Sequence, residues 1–114
     1  MKVSQITKET ILNQLRENEQ ALSQSEIDYI LSLKAIAVEY VKSYTGIQGT
    51  DEVDDNDRRL DDYEDITYAV LAIISFMYDN RTMTVDKSSV NPMVNSILDL
   101  HSFNLVPSES EATS

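Results

Sequence analysis

A long apolar run lies in the second half of the chain. From Tyr68 to Tyr78 every residue except Ser75 is apolar or aromatic, so a helix formed here has no polar face and must be surrounded by protein or lipid. The run is eleven residues long, whereas crossing a bilayer takes roughly 20. The pattern therefore predicts a central helix, at about 62–80, that is buried on all sides.

A shorter helix is predicted near the start of the chain. Thr7 is placed to cap it, and Ile6 and Ile11 occupy the two positions of a hydrophobic staple. The helix is expected to run to about Asn18. Its apolar stripe is narrow, so it should pack on the surface of another element.

The second predicted helix is the longest. Ser23 and Glu26 match a capping box at its start. The helix should end near Tyr44 or Thr45, because Gly46 suits the left-handed position that follows many helices.

Apolar residues of this second helix form two adjoining arcs that together span about 220° at the helical repeat, well beyond a stripe that faces one core. One interpretation is a helix wedged between two neighbours of its own chain. The other is that the second arc faces another subunit, since tyrosine is favoured at interfaces. The first arc consists of Ile27, Ile30, Leu31, Ala37, Val38 and Val41, and the residues predicted at the subunit interface are Tyr29, Leu33, Ile36 and Tyr40, with Phe76 of the central helix.

A polar loop is predicted from Gly46 to Leu60. Positions 51–65 contain nine acidic residues and two arginines, a net charge of −7, and such a block is normally solvated or mobile. Some of these acids precede or begin the central helix, where its dipole favours negative charge. They are Asp61, Asp62, Glu64 and Asp65.

A last helix is predicted at about 92–103, because Asn91 can cap it and Pro92 suits its first position. Val94, Ile97, Leu98 and His101 share one face of it. Residues 82–90 form a polar connection, and no segment alternates long enough to predict a sheet. We expect an all-α fold, a four-helix subunit with a long acidic loop between its second and third helices. Residues 1–105 would form a single domain, and residues 106–114 a flexible acidic tail.

Composition restricts the functions that this fold can serve. With 114 residues and a net charge of −11, the chain can bury one modest core and should bind naked nucleic acid poorly. It contains no cysteine, so thiolate metal sites and disulfides are excluded. Its N-terminus has no signal-peptide core, so we expect a soluble protein of intracellular origin.

Candidate chemistry is sparse. His101, on the apolar face of the last helix, fits a hydrogen-bonded packing residue far better than a catalytic base. The acidic loop fails as an EF-hand because arginine stands at the fifth position of such a loop and glycine is missing at the sixth. A loose cation site is the weaker interpretation of its acids, and a solvated charge run the stronger one. We expect neither an enzyme nor a cofactor. The four acids concerned are Asp51, Asp54, Asp55 and Asp57.

Over residues 5–105 the order of these features resembles the head-tail connector family, the head-completion or adaptor proteins of long-tailed phages and prophages. The long second helix ends in Tyr44-Thr45-Gly46, similar to the aromatic-Thr-Gly of that family. The apolar helix ends in Tyr78-Asp79-Asn80-Arg81, similar to its Tyr-x-Asn-Arg. The chain departs from the family in having His101-Ser102 where a basic residue is common, and in the acidity of its loop.

The resemblance implies a non-enzymatic virion protein without a cofactor. Its copies would form a ring, a dodecamer in the virion, beneath the portal protein at the head-tail interface, after assembly in the host cytoplasm. The ring would extend the DNA channel without specific DNA binding and would dock a stopper or tail protein. The acids of the loop are candidates for lining the channel. The tail is a candidate for docking on the portal through Leu105, Val106 and Pro107.

A second class of function fits the acidity of the chain. A small acidic regulator, such as an antitoxin or DNA mimic, would sequester a basic or DNA-binding partner. Such a protein spreads its acids over a surface as paired, phosphate-like charges. Here the acids are concentrated in one loop and one helix start, which favours the connector.

Overall fold

A computed structural model describes residues 1–80 and 91–102. The α-helices in these ranges are α1 (Lys8–Leu15), α2 (Gln24–Thr45), α3 (Glu64–Asp79) and α4 (Pro92–Leu100). Short 3₁₀ turns lie at Val3–Gln5, Glu19–Ala21 and Leu60–Asp62. The described part of the chain contains no β-strand, so the all-α prediction is confirmed. The connection predicted at 82–90 and the tail at 106–114 lie outside the described residues.

The predicted starts of α1, α2 and α4 are confirmed by side-chain caps. Thr7 accepts a hydrogen bond from the amide of Thr10 at the start of α1, and Ser23 accepts one from Glu26 at the start of α2. Asn91 accepts one from Met93 at the start of α4. Each cap satisfies an amide that has no partner inside its helix.

Several predicted helix ends are wrong by one to three residues. α1 stops at Leu15, because Arg16 adopts a left-handed conformation and its amide turns back to the carbonyl of Asn13. α4 stops at Leu100, so His101 lies just beyond it. α3 begins at Glu64, while Asp61 and Asp62 belong to the preceding 3₁₀ turn.

The core lies mainly between α2 and α3, with α1 and α4 packed on α3. The N-terminal turn closes one side, where Val3 and Ile6 are buried and Thr67 donates to the carbonyl of Met1. The buried residues of α3 occupy one side of that helix. They are Ile66, Thr67, Ala69, Val70, Ile73, Ile74 and Met77.

The prediction that α3 is buried on all sides is wrong within this chain. Tyr68 is 50% exposed, and Leu71, Ala72 and Phe76 are only partly buried. The other helices cover one side of α3, because a chain of this size has few elements to place around it. An apolar strip of α3 is therefore left at the surface.

Candidate functional site

The Tyr44-Thr45-Gly46 sequence closes α2. The hydroxyl of Thr45 is buried, donates to the carbonyl of Val41 at 2.8 Å and accepts from the amide of Ile47 at 3.2 Å. Gly46 has φ of 81°, a conformation that costs residues with a Cβ about 1 kcal/mol or more. This motif thus turns the chain out of the helix while keeping its buried amides satisfied.

Tyr44 connects the end of α2 to α4. Its hydroxyl donates to a carboxylate oxygen of Asp99 at 2.6 Å, and Ser102 donates to the carbonyl of Tyr44 at 3.2 Å. Burial, together with the bond to Asp99, raises the pKa of Tyr44 above its ordinary value. The hydroxyl therefore stays protonated and able to donate at any physiological pH.

The second motif closes α3 in a similar way. Tyr78 donates to Glu17, just beyond α1, at 2.8 Å, and the side-chain amide of Asn80 donates to the carbonyl of Phe76 at 2.9 Å. Arg81 lies outside the described residues. The described part of the motif joins α3 to the end of α1, which is a structural role.

His101 lies at a junction of the loop, α3 and α4. Its Nε2 is 2.9 Å from Asp65, and its ring is 4.3 Å from that of Tyr63. Arg58 donates to the carbonyl of His101 at 2.8 Å and lies over the Tyr63 ring at 5.6 Å. The prediction of a hydrogen-bonded packing residue is confirmed.

The acidic loop is built around one of its own aspartates. Asp54 accepts hydrogen bonds from the amides of Gln48, Asn56 and Arg58 at 2.8, 2.8 and 3.0 Å. The bond from Gln48 is the largest cause of the lowered pKa of Asp54, with further contributions from Arg58 and Asn56 against the opposing effect of burial. The loop requires glycine at position 49, because a Cβ there would lie 2.0 Å from the carbonyl oxygen of Glu52. The charged block was predicted to be solvated or mobile, and its acids Asp51, Asp55 and Asp57 are indeed exposed to solvent, while Asp54 is bound by main-chain amides of the loop.

The other three acids named as a loose cation site point outward. Asp51, Asp55 and Asp57 are exposed, whereas the oxygens of Asp54 face main-chain amides. Within residues 1–80 and 91–102 no three His, Cys, Asp or Glu side chains converge as metal ligands would. The structure therefore does not assemble this cation site. The role of these acids in lining a channel stays a prediction.

The residues predicted at the subunit interface differ in burial once the chain is folded. Leu33 is 2% exposed and belongs to the core, so its assignment to a subunit interface is corrected: α2 turns Leu33 toward its own chain. Tyr29, Tyr40 and Phe76 are partly buried against the core. Ile36, at 50% exposure, is the member most available to a neighbour.

A groove missed in the sequence lies between α2 and the N-terminal segment. Its volume is about 380 Å³, and it is lined by Val3, Ser4, Leu31, Lys34, Ala35, Val38, Glu39 and Thr50. The sequence placed Leu31 and Val38 in a buried arc, yet Leu31 is 40% exposed. The i, i+4, i+7 spacing of Leu31, Ala35 and Val38 is the sequence pattern that indicates this apolar stripe of α2.

The residues predicted to dock on the portal, Leu105, Val106 and Pro107, lie outside the described residues. Among the helices that the structure describes, none has the length and apolar character of a membrane span. Neither a protein-family model, a curated protein nor a solved structure matches the chain.

Proposed function

We propose that the chain is a non-enzymatic structural protein of a long-tailed phage or prophage, a subunit of the head-tail connector. Copies form a ring beneath the portal, extend the DNA channel and dock the next head-completion or tail protein. The ring is assembled in the host cytoplasm and resides at the head-tail interface of the virion. It uses no cofactor.

The observation that supports this function most directly is apolar surface on both central helices. Ile36 of α2 and Tyr68 of α3 are each about half exposed. Completing the burial of such side chains is worth roughly 25 cal/mol per Å² of apolar surface removed from water. Subunits of an assembly recover this energy by packing against copies of themselves or against a fixed partner.

The two family-like motifs support the proposal at the level of the fold. Thr45 and Gly46 end α2, and Tyr78 and Asn80 end α3, each through contacts described above. Motifs that terminate the two central helices are the kind that define a subunit architecture.

The acidic loop suits a surface past which DNA moves. Asp51, Asp55 and Asp57 are exposed on a defined loop, and the chain has a net charge of −11. Like charge keeps DNA from adhering, whereas phosphate binding needs Lys and Arg.

The same fixed acids are what favours the second candidate, an acidic regulator that binds a basic or DNA-binding partner. That function predicts high affinity for a basic protein and no assembly with a portal. Nine of the twenty acids are concentrated in the loop and the start of α3 and are not spread over a surface as paired charges, so we rank this function below the connector.

Self-association, measured by sedimentation velocity alone and with a portal ring, tests the proposal. We expect defined oligomers in at least one of the two conditions. Tyr68→Asp, which places a charge on the exposed strip of α3, should reduce them, whereas Asn13→Asp, which adds the same charge at an exposed position of α1, is the control. Strictly monomeric protein in both conditions would refute the connector function.

A further inference from the structure

The groove beside α2 has an apolar floor, and its charged lining residues are Lys34 and Glu39. Leu31, Ala35 and Val38 lie along one stripe of α2, with Val3 facing them. The stripe continues by spacing to Lys42, at i+11 from Leu31. Apolar side chains left at the surface beside lysines form a surface that accepts an apolar side chain next to acidic ones.

Charges around the groove are mixed but favour an acidic occupant. The Nζ of Lys34 donates to the carbonyl of Ile6 at 2.9 Å, which leaves two of its three N–H groups for another acceptor. Glu39 stands on the outer wall and is exposed. Lys34 and Lys42 outnumber it, in a chain whose net charge is −11.

The acidic loop of the same chain carries side chains that are complementary to those of the groove. Val53, at the tip of the acidic loop, is 53% exposed, and exposed Asp51, Glu52 and Asp55 surround it. An apolar side chain displayed among acids is the complement of an apolar groove edged by lysines.

The loop is also preorganised for binding. The hydrogen bonds of Asp54 fix its tip, and Arg59 fixes its base by donating to the carbonyl of Asp51 at 3.0 Å and pairing with Asp62 at 2.9 Å. A segment already held in shape loses less conformational entropy when it docks. Within its own chain Val53 borders a hollow formed by the loop, with Gln48 and Gly49, and does not line the groove.

We propose that the acidic loop of one copy inserts Val53 into the α2 groove of the next copy, with the loop acids near Lys34 and Lys42. The contact joins two different surfaces, so it is heterologous, and heterologous contacts repeat into a ring when the rotation closes. This inference rests on the proposed connector function and assigns its subunit contact.

Site-directed disulfide formation tests the contact, because the chain has no native cysteine. Full-length Val53→Cys protein is mixed with full-length Ala35→Cys protein under mild oxidation, both free and on a portal ring. The control partner is Ile36→Cys, on the neighbouring residue of α2, which is exposed like Ala35 but lies outside the groove. We expect the Val53–Ala35 pair to cross-link about tenfold more than the Val53–Ile36 pair.

Reversing a charge at the groove provides a second test of the contact. Lys34→Glu should reduce the Val53–Ala35 cross-link several-fold, and raising the salt concentration should act in the same direction. Circular dichroism of Lys34→Glu verifies that α2 is intact, and Lys42→Glu, which leaves the hydrogen bond from Lys34 to the carbonyl of Ile6 in place, should also reduce the cross-link. A variant that remains folded and cross-links as well as the parent would overturn the role of Lys34.

The outcomes separate this contact from the proposed function. A ring that forms on the portal without Val53–Ala35 cross-links, or with equal cross-linking to Ile36→Cys, overturns the loop-in-groove contact and leaves the connector function standing. Each variant has one cysteine, so every cross-linked product is a covalent dimer. Cross-linked protein that sediments only as a dimer, free and with the portal ring, supports the contact and contradicts the ring. Absence of cross-links in free and portal-bound protein alike overturns the contact.

Discussion

Replacing Thr45 by valine should destabilise the subunit through a single main-chain amide. The Thr45 hydroxyl is the acceptor for the amide of Ile47, and both residues are fully buried. Valine matches threonine in shape but cannot accept a hydrogen bond. The change therefore leaves the Ile47 amide without its acceptor at the point where the chain leaves α2.

The expected cost follows from that geometry. A buried donor left unsatisfied costs about 1–3 kcal/mol, and removing the burial cost of the hydroxyl offsets part of it. We expect Thr45→Val to lower the free energy of unfolding by about 1–2 kcal/mol. Thr45→Ser keeps the hydroxyl and removes one buried methyl group, a loss of about 1 kcal/mol.

Because the two losses are similar, urea denaturation must be combined with a local readout. Amide hydrogen exchange at Ile47 should become fast in Thr45→Val and remain protected in Thr45→Ser. Unchanged protection of Ile47 in Thr45→Val, with unfolding free energy within about 0.5 kcal/mol of the parent, would refute this account of the motif.

Three further predictions concern the loop, the core and the α4 junction. Asp54→Asn should destabilise the loop at neutral pH. Because main-chain amides lower the pKa of Asp54, the stabilisation from its carboxylate is lost as pH falls from about 3.8 through that lowered pKa. The stability difference between Asp54→Asn and the wild type should therefore shrink in acid titrations, and a constant difference would contradict this role. Ile73→Ala, in the core, should lower the free energy of unfolding by about 2–5 kcal/mol in urea denaturation. The same change at half-exposed Ile36 should lower it by about 0.5 kcal/mol or less, and equal losses would refute the described core. A double-mutant cycle of His101→Ala and Asp65→Asn should give a coupling energy of about 0.5–1.5 kcal/mol, and additive losses would show that the pair does not interact.

Sequence signals located the helices because those signals are local. Thr7, Ser23 and Asn91 act within one turn of the amides that they cap, and Gly46 supplies a conformation at its own position. Such features need no knowledge of the tertiary structure. The helix starts and the fold class were predictable for this reason.

The surfaces were less predictable because they depend on which elements meet. Leu33 and Ile36 seemed to share one arc, yet packing buries the first and leaves the second exposed. Asp54 looked like one acid among many, although its carboxylate organises the loop through amides as far as Gln48 and Arg58. Neither charge density nor hydrophobic periodicity indicates which residue of the arc is buried or which acid binds the main-chain amides of the loop.

The groove was missed for a related reason. Its opposite walls come from Val3 and from α2 residues such as Leu31 and Val38, far apart in the chain. The N-terminal segment is placed there by contacts of Ser4 with Asp61 and of Ile6 with Lys34. The apolar stripe could be read in the sequence, but the facing wall could not.

Electron microscopy of the protein mixed with a portal ring would show whether this chain forms a connector. We expect a closed ring of this chain stacked on one end of the portal, with a continuous axial channel. Portal particles with no added ring, together with monomeric protein at the same concentration, would contradict it.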